Sequence, residues 1–169
     1  MKNKIKLLVI SVLLILSTAT AYSIDEINFD GINDVLYFQD NTISNLTEIT
    51  IEAFVKVNSF STPKYGGNDI WQFILFKKNC LEHFNEGFAL YLDEKNKRFA
   101  ASVASSEGVQ AVVVDKKASV ELDKWYHIAM TADSKEINLY VNGILVKSAS
   151  TNFPLNFANE EVFIGGRAK

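Results

Sequence analysis

The dipeptide Asn142-Gly143 stands between two apolar runs, and it restricts the local structure of this chain more than any other feature. In residues 137–141 apolar and polar side chains alternate, as expected when one face of a β-strand is buried. Residues 144–146 form a second apolar run. A type I′ turn needs positive φ at both central positions, which Asn and Gly tolerate best. Residues 136–150 are therefore predicted to form a β-hairpin.

The same alternation recurs along most of the chain. Residues 125–133 precede the hairpin across the polar Ser134-Lys135, so residues 125–150 are predicted to form a three-stranded antiparallel meander. Other short runs, several rich in β-branched or aromatic residues, cover 49–57, 71–76, 88–93, 98–103 and 109–115. About eleven short strands separated by turns indicate an all-β sandwich or barrel.

The first 21 residues differ from the rest. The segment begins with three lysines (Lys2, Lys4 and Lys6). Residues 5–16 are nearly all apolar, broken by Lys6 and Ser11, and Ala19-Thr20-Ala21 fits a cleavage site. The stretch is shorter than the roughly 20 residues that a spanning helix needs. Residues 1–21 are therefore predicted to be a signal peptide, a retained membrane anchor being the alternative. Residues 22–169 then form one exported domain without a stable membrane span, secreted or periplasmic.

Charge and cysteine content exclude several classes of protein. The whole chain has 17 basic and 20 acidic residues, and removing the leader leaves 14 basic residues against the same 20 acids. A nucleic-acid-binding domain needs a basic surface, which this composition does not supply. The single cysteine, Cys80, excludes an internal disulfide. A buried thiol is the expected role of Cys80, and intermolecular pairing is the alternative.

Seven segments, taken in order, resemble a known family. They are residues 29–34 (FDGIND), 51–56 (IEAFVK), 74–78 (ILFKK), 87–92 (GFALYL), 125–129 (WYHIA), 139–143 (LYVNG) and 164–167 (IGGR). This succession is similar to the laminin-G-like domains of the concanavalin A-like lectin/glucanase superfamily. The resemblance implies a jelly-roll sandwich of two antiparallel sheets, one of them concave.

One departure from that family concerns the C-terminal end. Relatives continue past the Gly-Gly-Arg segment into a final strand, whereas this sequence stops at Lys169. Either the chain is a fragment of a longer protein, or its sandwich lacks the closing strand. In the second case an open sheet edge is expected beside residues 24–29.

Catalytic patterns are missing from the sequence. A glucanase of this superfamily needs paired carboxylates on one strand, and the nearest acidic pair, Glu121 and Asp123, lies in a polar turn. Cys80 and His83 lack the Gly-rich oxyanion loop of a nucleophilic site. His127 is predicted to be a hydrogen-bonded core residue. The chain is therefore predicted not to be an enzyme.

Calcium is the one cofactor that the resemblance brings into consideration, since members of that family bind it at loop ends. Asp30 and Asp34 frame Gly31, and Asp69 lies in the loop at 60–69, so these three carboxylates are the predicted ligands. The alternative is structural, with Asp30-Gly31 forming a turn that Asp34 caps.

Aromatic side chains on loops or on a concave sheet are expected to contact a glycan. Tyr65, Trp71 and Phe84 are the predicted ligand-binding residues, with a core position as the alternative for Trp71. Glu52, in the middle of a predicted strand, needs a polar partner or a ligand. The resulting hypothesis is an exported, non-catalytic module that binds a glycan or an extracellular protein surface. A structural or accessory fragment of a larger adhesin or carbohydrate-active enzyme is the alternative.

Overall fold

The computed structural model describes residues 26–30, 34–39, 43, 46–60, 71–78, 87–93, 96–117, 119–155, 157 and 161–165. Ten strands lie in these residues: β1 (Leu36–Gln39), β2 (Ile49–Lys56), β3 (Trp71–Lys78), β4 (Gly87–Asp93), β5 (Arg98–Ala104), β6 (Gln110–Val114), β7 (Trp125–Ala132), β8 (Glu136–Val141), β9 (Ile144–Ser150) and β10 (Glu161–Ile164). The predicted leader at 1–21, residues 61–70, Cys80 and His83 lie outside the described residues.

The strands form two antiparallel sheets. The six-stranded sheet has the order β1-β10-β3-β4-β5-β6, and the four-stranded sheet has the order β2-β7-β8-β9. The two-sheet all-β sandwich predicted from the sequence is thereby confirmed. The insertion of β10 between β1 and β3 brings the two ends of the described chain together in one sheet.

The predicted hairpin and meander are both present. β7, β8 and β9 pair consecutively, which confirms the three-stranded meander. Asn142 and Gly143 connect β8 to β9 with φ values of +52° and +76°, the double positive φ that a type I′ turn requires. β4 and β5 also pair as an antiparallel hairpin.

The core lies between the inner faces of the sheets. Ile128 and Met130 of β7 are fully buried, as are Ile137 and Leu139 of β8, and they face Leu90 and other apolar residues of the six-stranded sheet. Burying each such side chain contributes about 1.5–3 kcal/mol, so the alternation along β7 and β8 stabilises the sandwich directly.

The N-terminal part differs from expectation. Residues 26–30 lie outside any strand, and the first described strand is β1, so the open edge predicted beside residues 24–29 is not found along the described residues 26–29. The strands at the ends of the sheets are instead β1 and β6 in one sheet and β2 and β9 in the other. The segment at 26–30 is held by side chains, because Glu26 pairs with Lys56 at the end of β2 and the ring of Phe29 lies against Gly165.

A second apolar cluster covers the other face of the six-stranded sheet. It contains Phe73, Phe76, Ala89, Tyr91 and Ala100, with Phe163 packed against it. Strand β3 is therefore covered on both faces, as the apolar composition of residues 71–76 predicts. We call this cluster, extended by Trp71 and Tyr37 at its two ends, the aromatic band.

Candidate binding face on the four-stranded sheet

Strand β2 places polar and aromatic side chains on the outer face of its sheet. Ile51 is buried in the core, whereas its neighbours Glu52 and Phe54 point away from it. Phe54 is 73% exposed, more than any other large hydrophobic residue in the described part of the chain. Exposing so large an apolar ring is unfavourable in an isolated domain, so it marks a candidate contact surface.

Strand β7 continues this face through its pairing with β2. The register sets Phe54 opposite His127 and Lys56 opposite Trp125, which is 49% exposed. Side chains directly opposite one another in an antiparallel pair share a face and lie within contact distance. We call the surface formed by Glu52, Phe54, Lys56, Trp125 and His127 the β2–β7 platform.

Short-range contacts hold the platform together. The imidazole Nε2 of His127 lies 3.3 Å from a carboxylate oxygen of Glu52, and the ring of Phe54 lies 4.8 Å from the ring of His127. The ammonium group of Lys56 lies 5.0 Å from the ring centroid of Trp125, a cation–π distance. The platform therefore combines two exposed aromatic rings with an anionic and a cationic group.

The backbone of His127 is fixed by the hairpin turn of the meander. Its N–H donates to the side-chain carbonyl of Asn142 (3.0 Å), and its carbonyl accepts from the N–H of Asn142 (2.7 Å). Asn142 thus forms part of the turn and also fixes the backbone of the platform residue His127. The prediction of a hydrogen-bonded His127 is confirmed, but its predicted core position is wrong, because the side chain stands on the outer face beside Trp125.

The same face becomes polar toward the other end of β2. Thr50, Thr131 and Asn138 lie there at neighbouring positions of β2, β7 and β8, and they line an open depression of about 430 Å³ together with Glu48, Asp133 and Glu136. Asn138 is buried and bonds to Thr131, Glu136 and Ser148, so this end is an ordered hydrogen-bonding network. The face from Lys56 to Thr50 extends over roughly 20 Å.

Glu52 and Glu136, two carboxylates of this face, are too far apart to act as the pair of a glycosidase. Glu52 is the platform's one carboxylate, and Glu136, at the polar end, stands four residues along β8 and two strands away. Strand geometry puts the two Cα atoms about 16 Å apart. A glycosidase needs its two carboxyl groups within about 5–9.5 Å.

Trp71 lies on the opposite sheet from the platform. It is 38% exposed at one end of the aromatic band, with its ring 5.9 Å from Tyr91 and 6.5 Å from Phe73. Burial, and secondarily the charge of Asp93, raise the pKa of Tyr91 to about 12. Trp71 is thus half packed and half accessible, and its role in ligand binding stays a prediction. Tyr65 and Phe84, the other two predicted contacts, lie outside the described residues.

Two of the three predicted calcium ligands, Asp30 and Asp34, lie in the described part of the chain. The N–H of Asp30 donates to a carboxylate oxygen of Asp34 over 3.0 Å, which is the cap expected of a turn. Asp69 lies outside the described residues, and among those described no three His, Cys, Asp or Glu residues converge. Calcium takes six to eight oxygens, so Asp30 and Asp34 do not by themselves fit a calcium site.

Phe54 and Trp125 were not predicted as site residues. The alternation of 51–56 already places Phe54 on the face opposite Ile51, so the exposure of Phe54 could have been predicted from the sequence. Glu52 was recognised as needing a partner, and that partner is His127. The acidic pair Glu121 and Asp123 is exposed in the turn before β7, as predicted.

Comparisons with known proteins support the fold. The structure is similar to the CBM40 of a Ruminococcus gnavus IT-sialidase, with 19% identity, 75% of this chain and 67% of that chain covered, and a TM-score of 0.57. It is also similar to the receptor-binding domain of botulinum neurotoxin D, with 14% identity and a TM-score of 0.56. That match covers 80% of this chain and 34% of the neurotoxin chain. Mouse laminin α1 domains LG4-5 give 13% identity and a TM-score of 0.57, and the match covers 81% of this chain and 33% of the laminin chain.

This chain therefore spans about one third of the neurotoxin and laminin structures. At these identities the likeness concerns the fold alone. A search of curated proteins gives no significant match. Among the described residues no helix is long and apolar enough to cross a bilayer.

The sequence itself matches one family model. Residues 30–169 match Laminin_G_3, which belongs to the concanavalin A-like lectin/glucanases superfamily. This match covers most of the chain and agrees with the two antiparallel sheets. The chain belongs to the Laminin_G_3 family.

Proposed function

We propose that this chain is an exported, non-catalytic recognition module that binds a glycan through the β2–β7 platform. The observation that carries the proposal is the exposure of Phe54 and Trp125 beside Glu52, His127 and Lys56. Ligand sites combine apolar and aromatic surface with a few fixed polar groups, and this face has that composition.

Each group of the platform has a role that suits a sugar. The aromatic faces of Phe54 and Trp125 pack against the C–H face of a pyranose ring. The carboxylate of Glu52 accepts hydrogen bonds from hydroxyl groups, which are strengthened by its charge. Lys56 donates to ring or hydroxyl oxygens, and to a carboxylate in the case of an acidic sugar.

The related folds support a glycan over other ligands. The Ruminococcus gnavus CBM40 module is described in complex with α2,3- and α2,6-sialyllactose. Other similar structures are toxin receptor-binding domains, so a protein surface is the competing partner class. Binding to an array of neutral and sialylated glycans would test directly whether the ligand is a glycan.

Two tryptophans on opposite sheets provide a matched test. We expect Trp125→Ala to abolish array binding and Trp71→Ala to retain it, with thermal unfolding of both variants as the control for folding. Loss of binding by Trp71→Ala alone would place the site on the six-stranded sheet and overturn this proposal. No binding of the intact chain to any glycan would also contradict it.

Export and calcium belong to the same proposal. Cleavage after Ala21 predicts that the exported chain begins at Tyr22, which N-terminal sequencing of the secreted product would establish. Calcium binding through Asp30, Asp34 and Asp69 predicts a higher unfolding temperature in calcium than in EDTA. An unchanged unfolding temperature would leave the Asp30–Asp34 contact as a turn cap.

A further inference from the structure

Negative charge dominates the outer face of the four-stranded sheet. Four carboxylates of the described residues lie there: Glu52 on the platform, and Glu48, Asp133 and Glu136 around the polar depression. Among the described residues that line the depression, none is Lys, Arg or His. Carboxylates are ionised at neutral pH, so a ligand on this face meets mainly one sign of charge.

The ammonium group of the platform is already engaged by Glu26. Lys56 Nζ lies 3.4 Å from one carboxylate oxygen of Glu26 and 5.0 Å from the ring centroid of Trp125. The other carboxylate oxygen of Glu26 accepts a hydrogen bond of 3.2 Å from the side-chain amide of Asn28. This second bond fixes Glu26 beside Lys56, so the charge of Lys56 is largely balanced before a ligand binds.

Three other lysines of this sheet and its turns have surroundings away from the platform. Lys124 pairs with Glu121 over 3.0 Å, and Lys135, in the turn after β7, lines a separate depression on the β9 side. Lys147 stands opposite the core residue Leu139, so it belongs to the residues that face inward. None of these three therefore supplies a cation to the platform to replace Lys56.

Such a face treats uncharged and acidic sugars differently. The hydroxyl groups of an uncharged sugar donate hydrogen bonds to carboxylates, and the charge of the acceptor strengthens these bonds. An ionised sugar carboxylate has only acceptor oxygens, so it cannot donate to Glu52 and is repelled by it. Placing like charges together is a general way for a binding site to reject a competing ligand.

We propose that the β2–β7 platform selects uncharged oligosaccharides and rejects their sialylated, sulfated or uronic-acid forms, with Glu52 and Glu26 determining this specificity. The inference rests on the proposed glycan function and names the class of glycan. Glu52 acts directly, by repelling an acidic group beside the exposed ring of Phe54. Glu26 is a positioning residue that acts through Lys56, because it balances the ammonium charge that would otherwise pair with the acidic group.

An array of matched pairs tests the inference, with each neutral oligosaccharide printed beside its sialylated, sulfated or uronic-acid form. We expect the wild-type chain to bind neutral glycans and to bind the acidic form of each about tenfold more weakly or less. Salt screens repulsion between exposed charges. Raising the NaCl concentration from about 10 mM to about 150 mM should therefore strengthen binding of the acidic forms and leave binding of the neutral forms unchanged.

Three glutamine variants, each with one carboxylate removed, assign the effect to residues. Glu26→Gln releases Lys56, so binding of acidic forms should strengthen about tenfold while binding of neutral forms changes less than about twofold. Glu52→Gln should weaken binding of neutral forms but not of acidic forms, which narrows the ratio of the two affinities. Glu107→Gln, in the exposed turn before β6, is the matched control and leaves the ratio unchanged. Thermal unfolding of all three variants checks that each is folded.

The outcomes separate this inference from the proposed function. An acidic glycan that binds as tightly as its neutral form, or more tightly, overturns the inference and leaves glycan recognition intact. A ratio of affinities that neither Glu26→Gln nor Glu52→Gln alters overturns it as well, since the selection would then arise elsewhere. If the intact chain binds no glycan of either kind, the proposed function fails and this inference fails with it.

Discussion

The imidazole of His127 stands 3.3 Å from the carboxylate of Glu52 on the outer face of the four-stranded sheet. The two residues are 75 positions apart in the sequence and meet because β2 and β7 are neighbours. Both side chains are accessible to water, so the pair contributes at most about 1 kcal/mol to the free energy of unfolding. Its position beside the exposed ring of Phe54 fits a role in recognition better than a role in stability.

Removing either partner is expected to weaken glycan binding much more than it lowers the stability of the fold. Glu52→Gln and His127→Ala should each weaken glycan binding about tenfold, because a charge-assisted hydrogen bond is worth roughly 1.5–3 kcal/mol. Urea unfolding should change by less than about 1 kcal/mol for Glu52→Gln. Glu107→Gln, an exposed acid elsewhere, is the control for both measurements. If the free energy of unfolding fell by as much as the free energy of glycan binding, the pair would have a structural role instead.

Asp133 makes part of the stability of the β7–β8 connection dependent on pH. Its carboxylate accepts hydrogen bonds from the backbone N–H groups of Glu136 and Lys135, and these lower its pKa from the usual 3.8. A lowered folded-state pKa means that the stabilisation is complete above the unfolded value. It is lost as the pH falls below about 4 through the folded pKa.

The test compares Asp133→Ala with Asp133→Asn in urea unfolding at pH 7 and at pH 3. Alanine removes the acceptor, whereas asparagine keeps an acceptor oxygen without the charge. We expect the alanine variant to be the less stable at pH 7, and the difference between wild type and the asparagine variant to shrink at pH 3. A difference that is the same at both pH values would refute the electrostatic explanation.

The buried phenol of Tyr91 limits stability in alkali. Its pKa is raised to about 12, first by burial and then by Asp93, so the folded state holds the phenolic proton more tightly than the unfolded state. Stability is therefore retained below about pH 10 and falls as the pH rises toward 12. The full shift corresponds to about 3 kcal/mol.

Tyr91→Phe removes this titration and preserves the packing of the aromatic band. We expect the variant to lose less stability than wild type between pH 9 and pH 11.5, measured by chemical unfolding. Absorbance titration of the folded wild type should show one tyrosine that ionises well after the exposed ones, and the variant should lack it. Identical alkaline unfolding of both proteins would contradict the prediction.

Local patterns predicted the strands and the pairing of strands adjacent in the sequence, but not which distant strands meet. Asn142-Gly143 and the alternation of 137–141 determined the hairpin, because both signals are local in the chain. The platform depends on the pairing of β2 with β7 across about 70 intervening residues, which no local pattern encodes. Aromatic contacts were therefore expected at Tyr65 and Phe84, in segments predicted to be loops, and not at Phe54 in a strand.

Two glycines with nearly the same backbone conformation provide the last prediction. Gly143 and Gly165 have φ values of +76° and +74°, and a side chain at either position pays the same left-handed backbone penalty of about 1 kcal/mol. A Cβ at Gly143 meets open space, whereas a Cβ at Gly165 overlaps the ring of Phe29. Gly143→Ala is therefore expected to lose about 1 kcal/mol, and Gly165→Ala a further 1–3 kcal/mol from overpacking.

A double-mutant cycle isolates the steric part of this difference. In a Phe29→Ala background the overlap at residue 165 is gone, so Gly165→Ala should then be no more destabilising than Gly143→Ala, as measured by urea unfolding. The backbone penalty remains in both backgrounds because it does not depend on Phe29. If Gly165→Ala were equally destabilising with and without the ring, Phe29 would not be what restricts position 165, and the ring would not tie residues 26–30 to the end of β10.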